Sequence, residues 1–321
     1  LKAATLRQEA FERFEKNGLP SKKDEAWKYT SVKSFSELSW NLATEEEFLS
    51  HDDLKWLSTK LSTDFYHFVF VNGFLNQTLS DELESWISID EIASEVQADQ
   101  KAVTEGGWND LLVAGSAKQI HLKIAKGKAL DKPVQILFVQ RSNQNLLSQS
   151  IVRIELGENS QAKLIQNFVS LPSSVVSAHQ NALNISTQVH LGTNSYLNFI
   201  QLQNENHKDF HFSRTQFYLQ TGAQLLSLDL ALGGQLSRHY LETVFLGENA
   251  NAGVYGLTAL SKKQHTDHYT FIHHQKGANQ SIQHYKSILS DESHSVFRGR
   301  VRIEPLAQKA NSEQLNNNLL L

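Results

Sequence analysis

From Gln119 onward the chain shows no sustained helical period, and short segments of alternating polar and apolar residues take its place. A corner recurs between them. Leu156-Gly157-Glu158-Asn159-Ser160, Leu191-Gly192-Thr193-Asn194-Ser195 and Leu246-Gly247-Glu248-Asn249-Ala250 share a Leu-Gly-x-Asn-small pattern, and Gln220-Thr221-Gly222-Ala223 is a looser copy. Glycine supplies positive φ, and asparagine can tie its side chain to the local backbone, so both suit tight corners. Strands are expected at 119–125, 134–140, 150–156, 161–169 and 181–191. Short strands joined by such corners, with only four prolines in the chain, fit a β-solenoid better than a βαβ fold. Asn159 and Asn194 lie 35 residues apart and Asn194 and Asn249 lie 55 apart, so this is no regular hexapeptide or nonapeptide repeat.

The N-terminal part reads differently. Ala3, Leu6, Ala10 and Phe14 recur at helical spacing over residues 1–17, and Gly18 with Pro20 ends that helix. Thr44 and Glu47 form a capping-box pattern ahead of a second helix running through Phe48, Leu54, Leu57 and Leu61. Phe65 to Val71, the turn Asn72-Gly73 and Phe74-Leu75 read as a hairpin. A mostly polar helical stretch is expected up to Ala117. The domain reading is a mainly helical unit with a short hairpin at 1–117 and a solenoid core at 118–321.

A net charge of −4 and a pI near 6.4 give no basic field for nucleic acid or anionic lipid. No apolar run is long enough to span a membrane, and the first sixteen residues are too mixed in charge for a signal peptide, so a cytoplasmic location is expected. The chain has no cysteine, which excludes disulfides and thiolate ligands from these residues.

Histidines crowd the last third: His265, His268, His273, His274 and His284, with His294 just beyond. His265, Asp267 and His268 are the candidate metal ligands. On a strand His265 and Asp267 share one face and His268 points to the other, so convergence of all three needs a bulge, and packed histidines are the preferred reading. A β-helical polysaccharide lyase or hydrolase would need paired carboxylates in one groove. Asp229, Glu242, Asp267, Asp291 and Glu304 fall in separate segments. There is no Gly-x-Ser-x-Gly elbow, P-loop or dinucleotide fingerprint. Lys262-Lys263 and Arg298-Gly299-Arg300 read as solvated strand ends, and Asn316-Asn317-Asn318 as a corner or an amide ladder. The closing Leu319-Leu320-Leu321 caps nothing, so more chain or a partner is expected to complete the sheet. Asn318, Leu319, Leu320 and Leu321 are the expected partner-facing edge.

The ordered strings carry a resemblance. Gly18-Leu19-Pro20 with Glu25-Ala26-Trp27-Lys28-Tyr29-Thr30, Val69-Phe70-Val71-Asn72-Gly73 and Lys132-Pro133-Val134 lie in the first half. Gln264-His265-x-Asp267-His268, Gln283-x-Tyr285-Lys286-x-Ile288-Leu289-x-Asp291, Val296-Phe297-x-Gly299, Ala307-Gln308-Lys309 and Gln314-x-Asn316-Asn317-Asn318-Leu319-Leu320-Leu321 lie in the second. Together they resemble the SufB/SufD family of the SUF iron–sulfur cluster assembly system over nearly the whole chain. Absence of cysteine favours the SufD branch. The resemblance implies a right-handed parallel β-helix between helical regions, with the C-terminal helical region missing here. It implies a non-catalytic scaffold that pairs with a SufB-like subunit and a SufC-like ATPase and that binds no cofactor tightly; the exposed edge at Leu319 to Leu321 would also invite an isolated copy to pair with itself. A transient iron–sulfur cluster would form at the complex interface. The family pattern continues past the triple leucine into a "[CS]-x-H-G-A-T"-like motif that these residues do not contain, so no cluster ligand carries over, and no catalytic residue is expected.

Overall fold

The computed structural model describes residues 2–43, 49–82, 85–91, 107–116, 118–141, 143–172 and 179–321. Among the described residues four α-helices precede the core: α1 Lys2–Asn17, α2 Lys33–Ser36, α3 His51–Ser58 and α4 Trp108–Gly115, with a 3-10 turn at Glu25–Trp27. The early strands are β1 Asn41–Leu42, β2 Tyr66–Val71, β3 Phe74–Leu75, β4 Ile87–Glu91, β5 Lys118–Ile124 and β6 Val134–Gln140. Next come β7 Leu146–Leu156, β8 Gln161–Ser170, β9 Asn181–Leu191, β10 Tyr196–Asn204, β11 Phe210–Leu219 and β12 Gln224–Ala231. The last are β13 Leu236–Phe245, β14 Asn251–Leu260, β15 His265–His274, β16 Gln280–Leu289, β17 His294–Ile303 and β18 Asn311–Leu320.

From β5 onward successive strands do not pair with each other; each pairs in parallel with the strand two later. One sheet runs β4-β5-β7-β9-β11-β13-β15-β17, with β1 beside β7, and the other runs β3-β2-β6-β8-β10-β12-β14-β16-β18. Two pairs are antiparallel, β2–β3 and β4–β5. The result is a mainly β solenoid of about seven turns with helical segments from the N-terminal region, as expected from the strand spacing. The strands expected from the sequence are present within a few residues, and the hairpin at Asn72-Gly73 forms and extends the second sheet through β2 and β6.

Three local expectations change. Helix α3 is capped by Ser50, whose hydroxyl accepts from Asp53 N while Asp53 accepts from Ser50 N; the expected cap at Thr44 lies outside the described residues. Residues 87–91, expected as helical, are strand β4. At the corners the division of labour is reversed: Asn159, Asn194 and Asn249 hold φ values of 56°, 53° and 57°, while their glycines do not. Asparagine tolerates the left-handed region because its short side chain can bond locally. The glycines are there for stacking. A Cβ on Gly157 would lie 2.5 Å from Lys126 N, and one on Gly247 2.0 Å from Thr221 N, so each corner rests on the one below. The 55-residue gap contains a full coil, whose corner uses Gly222 at φ 68°.

Inward residues alternate with outward ones along each strand. In the early coils the interior is mainly apolar, with Ile120, Leu122, Ile136, Phe138, Val152 and Ile154 all buried. In the later coils it turns polar: Ser227, Asp229, Thr258, Thr266, Thr270, Ser281, Gln283 and Ser287 are buried on inward positions. Asn316–Asn318 sit within β18, facing Tyr285, Lys286 and Ser287, so they form neither a corner nor a stacked amide ladder.

A second apolar cluster fixes the N-terminal segment on the outside. Trp27, Phe35, Trp108, Phe210 and Phe212 are buried together, with Trp108 stacked on Phe212 at 3.7 Å between ring centroids. Covering this face turns outward strand positions into buried ones. That is why β11 and β13 are buried almost throughout rather than alternating.

Candidate functional site

An aromatic column runs through the interior of the solenoid. Phe70, Phe138, Phe168, His211, His239, His268, Tyr285 and Phe297 follow one another at centroid separations of 5.6, 5.3, 4.8, 5.0, 4.8, 5.2 and 4.7 Å. Phe70–Phe138, Phe138–Phe168 and His239–His268 are register partners on neighbouring parallel strands, whose spacing of roughly 4.8 Å sets those steps, while Phe168–His211, His268–Tyr285 and Tyr285–Phe297 cross the interior from one sheet to the other. The column changes character midway, from phenylalanine to imidazole, where carboxylates enter the core.

Two carboxylates stand beside the imidazoles. Glu205 Oε2 lies 3.0 Å from His211 Nδ1, both side chains fully buried, and also accepts from Gln203 Nε2 at 3.0 Å. One coil further, Asp229 Oδ2 lies 3.2 Å from His239 Nδ1 and 3.3 Å from His268 Nε2. Asp229, His239 and His268 each offer one ligand atom, and these atoms lie within 4.8 Å of one another. Ser213 Oγ is 3.3 Å from His239 Nδ1, and Thr258 Oγ1 is 3.4 Å from His268 Nδ1.

Position 256 shapes the space beside Asp229. Asp229, Gly256 and Tyr285 are successive partners in one inward row of β12, β14 and β16. A Cβ on Gly256 would lie 2.2 Å from the Tyr285 ring, so the missing side chain admits that ring. Burial would raise the Asp229 carboxyl, but the two imidazoles outweigh it and hold the group ionised, well below the usual carboxylate range. Burial lowers His268 against the pull of Asp229. Burial, reinforced by the Asp229 charge, raises Tyr285 well above an ordinary phenol. Several buried polar atoms here lack a hydrogen-bond partner among the described residues: Asp229 Oδ1, His239 Nε2, His268 Nε2 and the Tyr285 hydroxyl.

The three ligands expected from the sequence part company, as strand alternation requires. His268 points into the interior. Asp267 and His265 point outward and are covered by the N-terminal segment: Thr30 Oγ1 donates to Asp267, Arg238 Nη1 pairs with Asp267, and His265 Nε2 lies 3.3 Å from Thr30 Oγ1. Arg238 is also 4.1 Å from the Trp27 ring centre, a buried cation–π contact. The Glu25–Thr30 string is therefore a strap across β13, β15 and β17. Arg298 completes it, donating to Glu25 O at 2.6 Å, and so is no solvated strand end.

The other expected carboxylates scatter. Glu242 accepts from Gln216 Nε2 at 2.9 Å, Asp291 accepts from Lys262 N at 2.8 Å, and Glu304 pairs with His273 and Arg302, each at 2.8 Å. Asp229 and His239, absent from the sequence-based ligand set, are the residues the fold adds. Their only sequence signal is a charged or titratable residue at an inward strand position. At the far edge, Leu319, Leu320 and Leu321 are exposed, and β18 pairs with β16 alone among the described strands.

The fold and interior define a parallel β-solenoid strapped by its own N-terminal region, with a titratable rather than purely apolar core. Residues 138–321 match the family profile described as "SUF system FeS cluster assembly, SufBD core domain", and residues 3–104 match "SufBD protein N-terminal region". The chain belongs to this SufBD family. The iron–sulfur cluster assembly protein SufD of Escherichia coli is 26% identical over 98% of this chain and 73% of its own length. An iron–sulfur cluster assembly SufBD family protein of Synechocystis is 24% identical over 94% of this chain and 70% of its own. SufD of Plasmodium berghei matches 57% of the chain at 27% identity, across 13% of its own length.

Proposed function

We propose that this chain is a non-catalytic scaffold subunit of a SUF assembly complex, pairing with a SufB-like subunit and associated with a SufC-like ATPase. The observation that carries the reading is the joint match of N-terminal region and core, in order, to one assembly family, with similarity to E. coli SufD over 98% of the chain. ATP hydrolysis belongs to the ATPase partner in this reading. The iron–sulfur cluster is cargo, held transiently where the subunits meet rather than as a resident cofactor.

The chemistry of the surface is consistent with a scaffold. The carboxylates that a polysaccharide-cleaving enzyme would need are dispersed among separate ion pairs, buried inside the solenoid or covered by the strap. This reading puts a partner contact at Asn318, Leu319, Leu320 and Leu321, whose leucines are exposed among the described residues. The test is co-expression of the tagged protein with a SufB-like and a SufC-like subunit. A stable complex on size exclusion, with ATPase activity only when the SufC-like chain is present, is expected. Elution of this chain alone, or as a homodimer that excludes the SufB-like subunit, overturns the reading.

A further inference from the structure

We propose that Asp229, His239 and His268 form a binding site for one divalent transition-metal ion inside the solenoid, with ferrous iron the cargo-relevant occupant. The site rests on its own geometry; only its service as an iron station rests on the assembly reading.

Three independent features carry the proposal. The first is ligand type: two imidazoles and one carboxylate with open positions is the donor set favoured by non-haem ferrous iron, and by zinc when one position stays open. The second is spacing. Asp229 Oδ2 is 3.2 Å from His239 Nδ1 and 3.3 Å from His268 Nε2. Charge-assisted hydrogen bonds run shorter, about 2.7–2.9 Å. Donor atoms ~2.0–2.2 Å from a shared tetrahedral metal stand roughly 3.3–3.6 Å apart, close to the two Asp229–histidine spacings, and the three donor atoms all lie within 4.8 Å of one another.

The third is the state of the surrounding polar atoms. His268 Nε2 meets Asp229 Oδ2 at 3.3 Å, long for a charge-assisted hydrogen bond, and Asp229 Oδ1 has no partner among the described residues. A carboxylate and two imidazoles sealed in a core normally satisfy every such atom, because a buried polar atom without a partner forfeits the hydrogen bond it made to water. A cation bound between them removes that deficit. The outer layer is also in place: Thr258 Oγ1 stands by His268 Nδ1, where an acceptor would hold the imidazole in the tautomer that frees Nε2.

The experiment uses the chain under anaerobic conditions with Co2+ as spectroscopic probe and Fe2+ as the expected cargo. Metal is added both to the native protein and during refolding, so slow entry into a buried site cannot hide the answer. One metal per chain with Co2+ ligand-field bands is expected, and anomalous diffraction from loaded crystals should peak between Asp229, His239 and His268. Asp229→Asn and His268→Gln should lose binding while keeping the wild-type circular dichroism, and His273→Ala should bind as wild type does. No uptake by either route overturns the proposal. So does an anomalous peak at another pair, such as His265 with His294, or full binding by a folded Asp229→Asn chain. Diffraction from the unmutated protein decides the matter even if the variants fail to fold. Metal loss and complex loss are read separately, so the scaffold reading can stand or fall alone.

Discussion

Replacing Asp267 by alanine should free the Glu25–Thr30 strap from the solenoid. The Arg238 and Asp267 side chains are 1% and 4% exposed, so their ion pair has almost no water to screen it. Removing one member of such a pair strands the other as a buried charge, at about 3–5 kcal/mol. The Trp27 ring over Arg238 offsets only part of this, on the order of 2 kcal/mol when desolvated, and it is already present in the native state. The cheapest relief is for the strap to lift and let water reach the guanidinium, so the cost should emerge as local opening. Hydrogen exchange reads it directly, through Trp27 N bonded to Asp24 O and Thr30 N bonded to Trp27 O. With ~1.4 kcal/mol per factor of ten, protection of these amides should fall by about two to three powers of ten, while β9 and β10 keep theirs. Adding Arg238→Met should recover most of the loss, since an apolar side chain of similar volume leaves no charge behind. A change under tenfold, an equal change in β9 and β10, or a double variant as open as the single one refutes the reasoning.

Other expectations follow from the same geometry. Burial raises the Asp209 carboxyl to about 6, against hydrogen bonds from Ser170 Oγ and Asn181 N. The folded protein then holds a proton that the unfolded chain releases near the ordinary 3.8, so this stabilisation is full below that pH and is lost as pH rises through 6. Urea midpoints should fall from pH 4 to pH 7 by an Asp209-dependent component of at most ~3 kcal/mol, which Asp209→Asn removes; an unchanged slope in that variant rejects the assignment. Asn194→Ala, at φ 53°, should cost ~1–2 kcal/mol in chemical denaturation while Asn194→Gly costs little, and equal losses would show that side-chain bonding rather than φ matters there. Gly256→Ala should lower thermal stability by about 1–3 kcal/mol by pushing on the Tyr285 ring, and wild-type stability would mean that the ring can move aside.

The legibility of this chain follows from what period two can and cannot encode. Alternation within a strand says which residues share a face. It was enough to separate His268 from His265 and Asp267, and the structure sends them to opposite sides of β15. The Leu-Gly-x-Asn corners were visible as corners, but not which residue took positive φ, because the glycine requirement comes from the coil stacked against it. Arg298 looked like a strand-end charge because its partner, Glu25, lies 273 residues earlier. The basic cluster carried no sign that a strap would cover it.

By itself the sequence determined a mainly β chain of short strands and tight corners, a helical and hairpin-bearing start, and a membership legible in ordered motifs. It left open which strand stacks on which. Asp229 and His239 are ten residues apart in sequence and His268 is 29 further on, with nothing in their local spacing to join them. They meet because the strands two apart in order pair in parallel and in register, placing Ser213, His239, His268 and Phe297 in one row of one sheet and Asp229 in the facing row of the other. Strand periodicity is local and survives in the sequence; coil-to-coil register depends on corner lengths and on packing against the neighbouring coils. The buried carboxylate between two imidazoles belongs to that second level, and only the tertiary structure decided it.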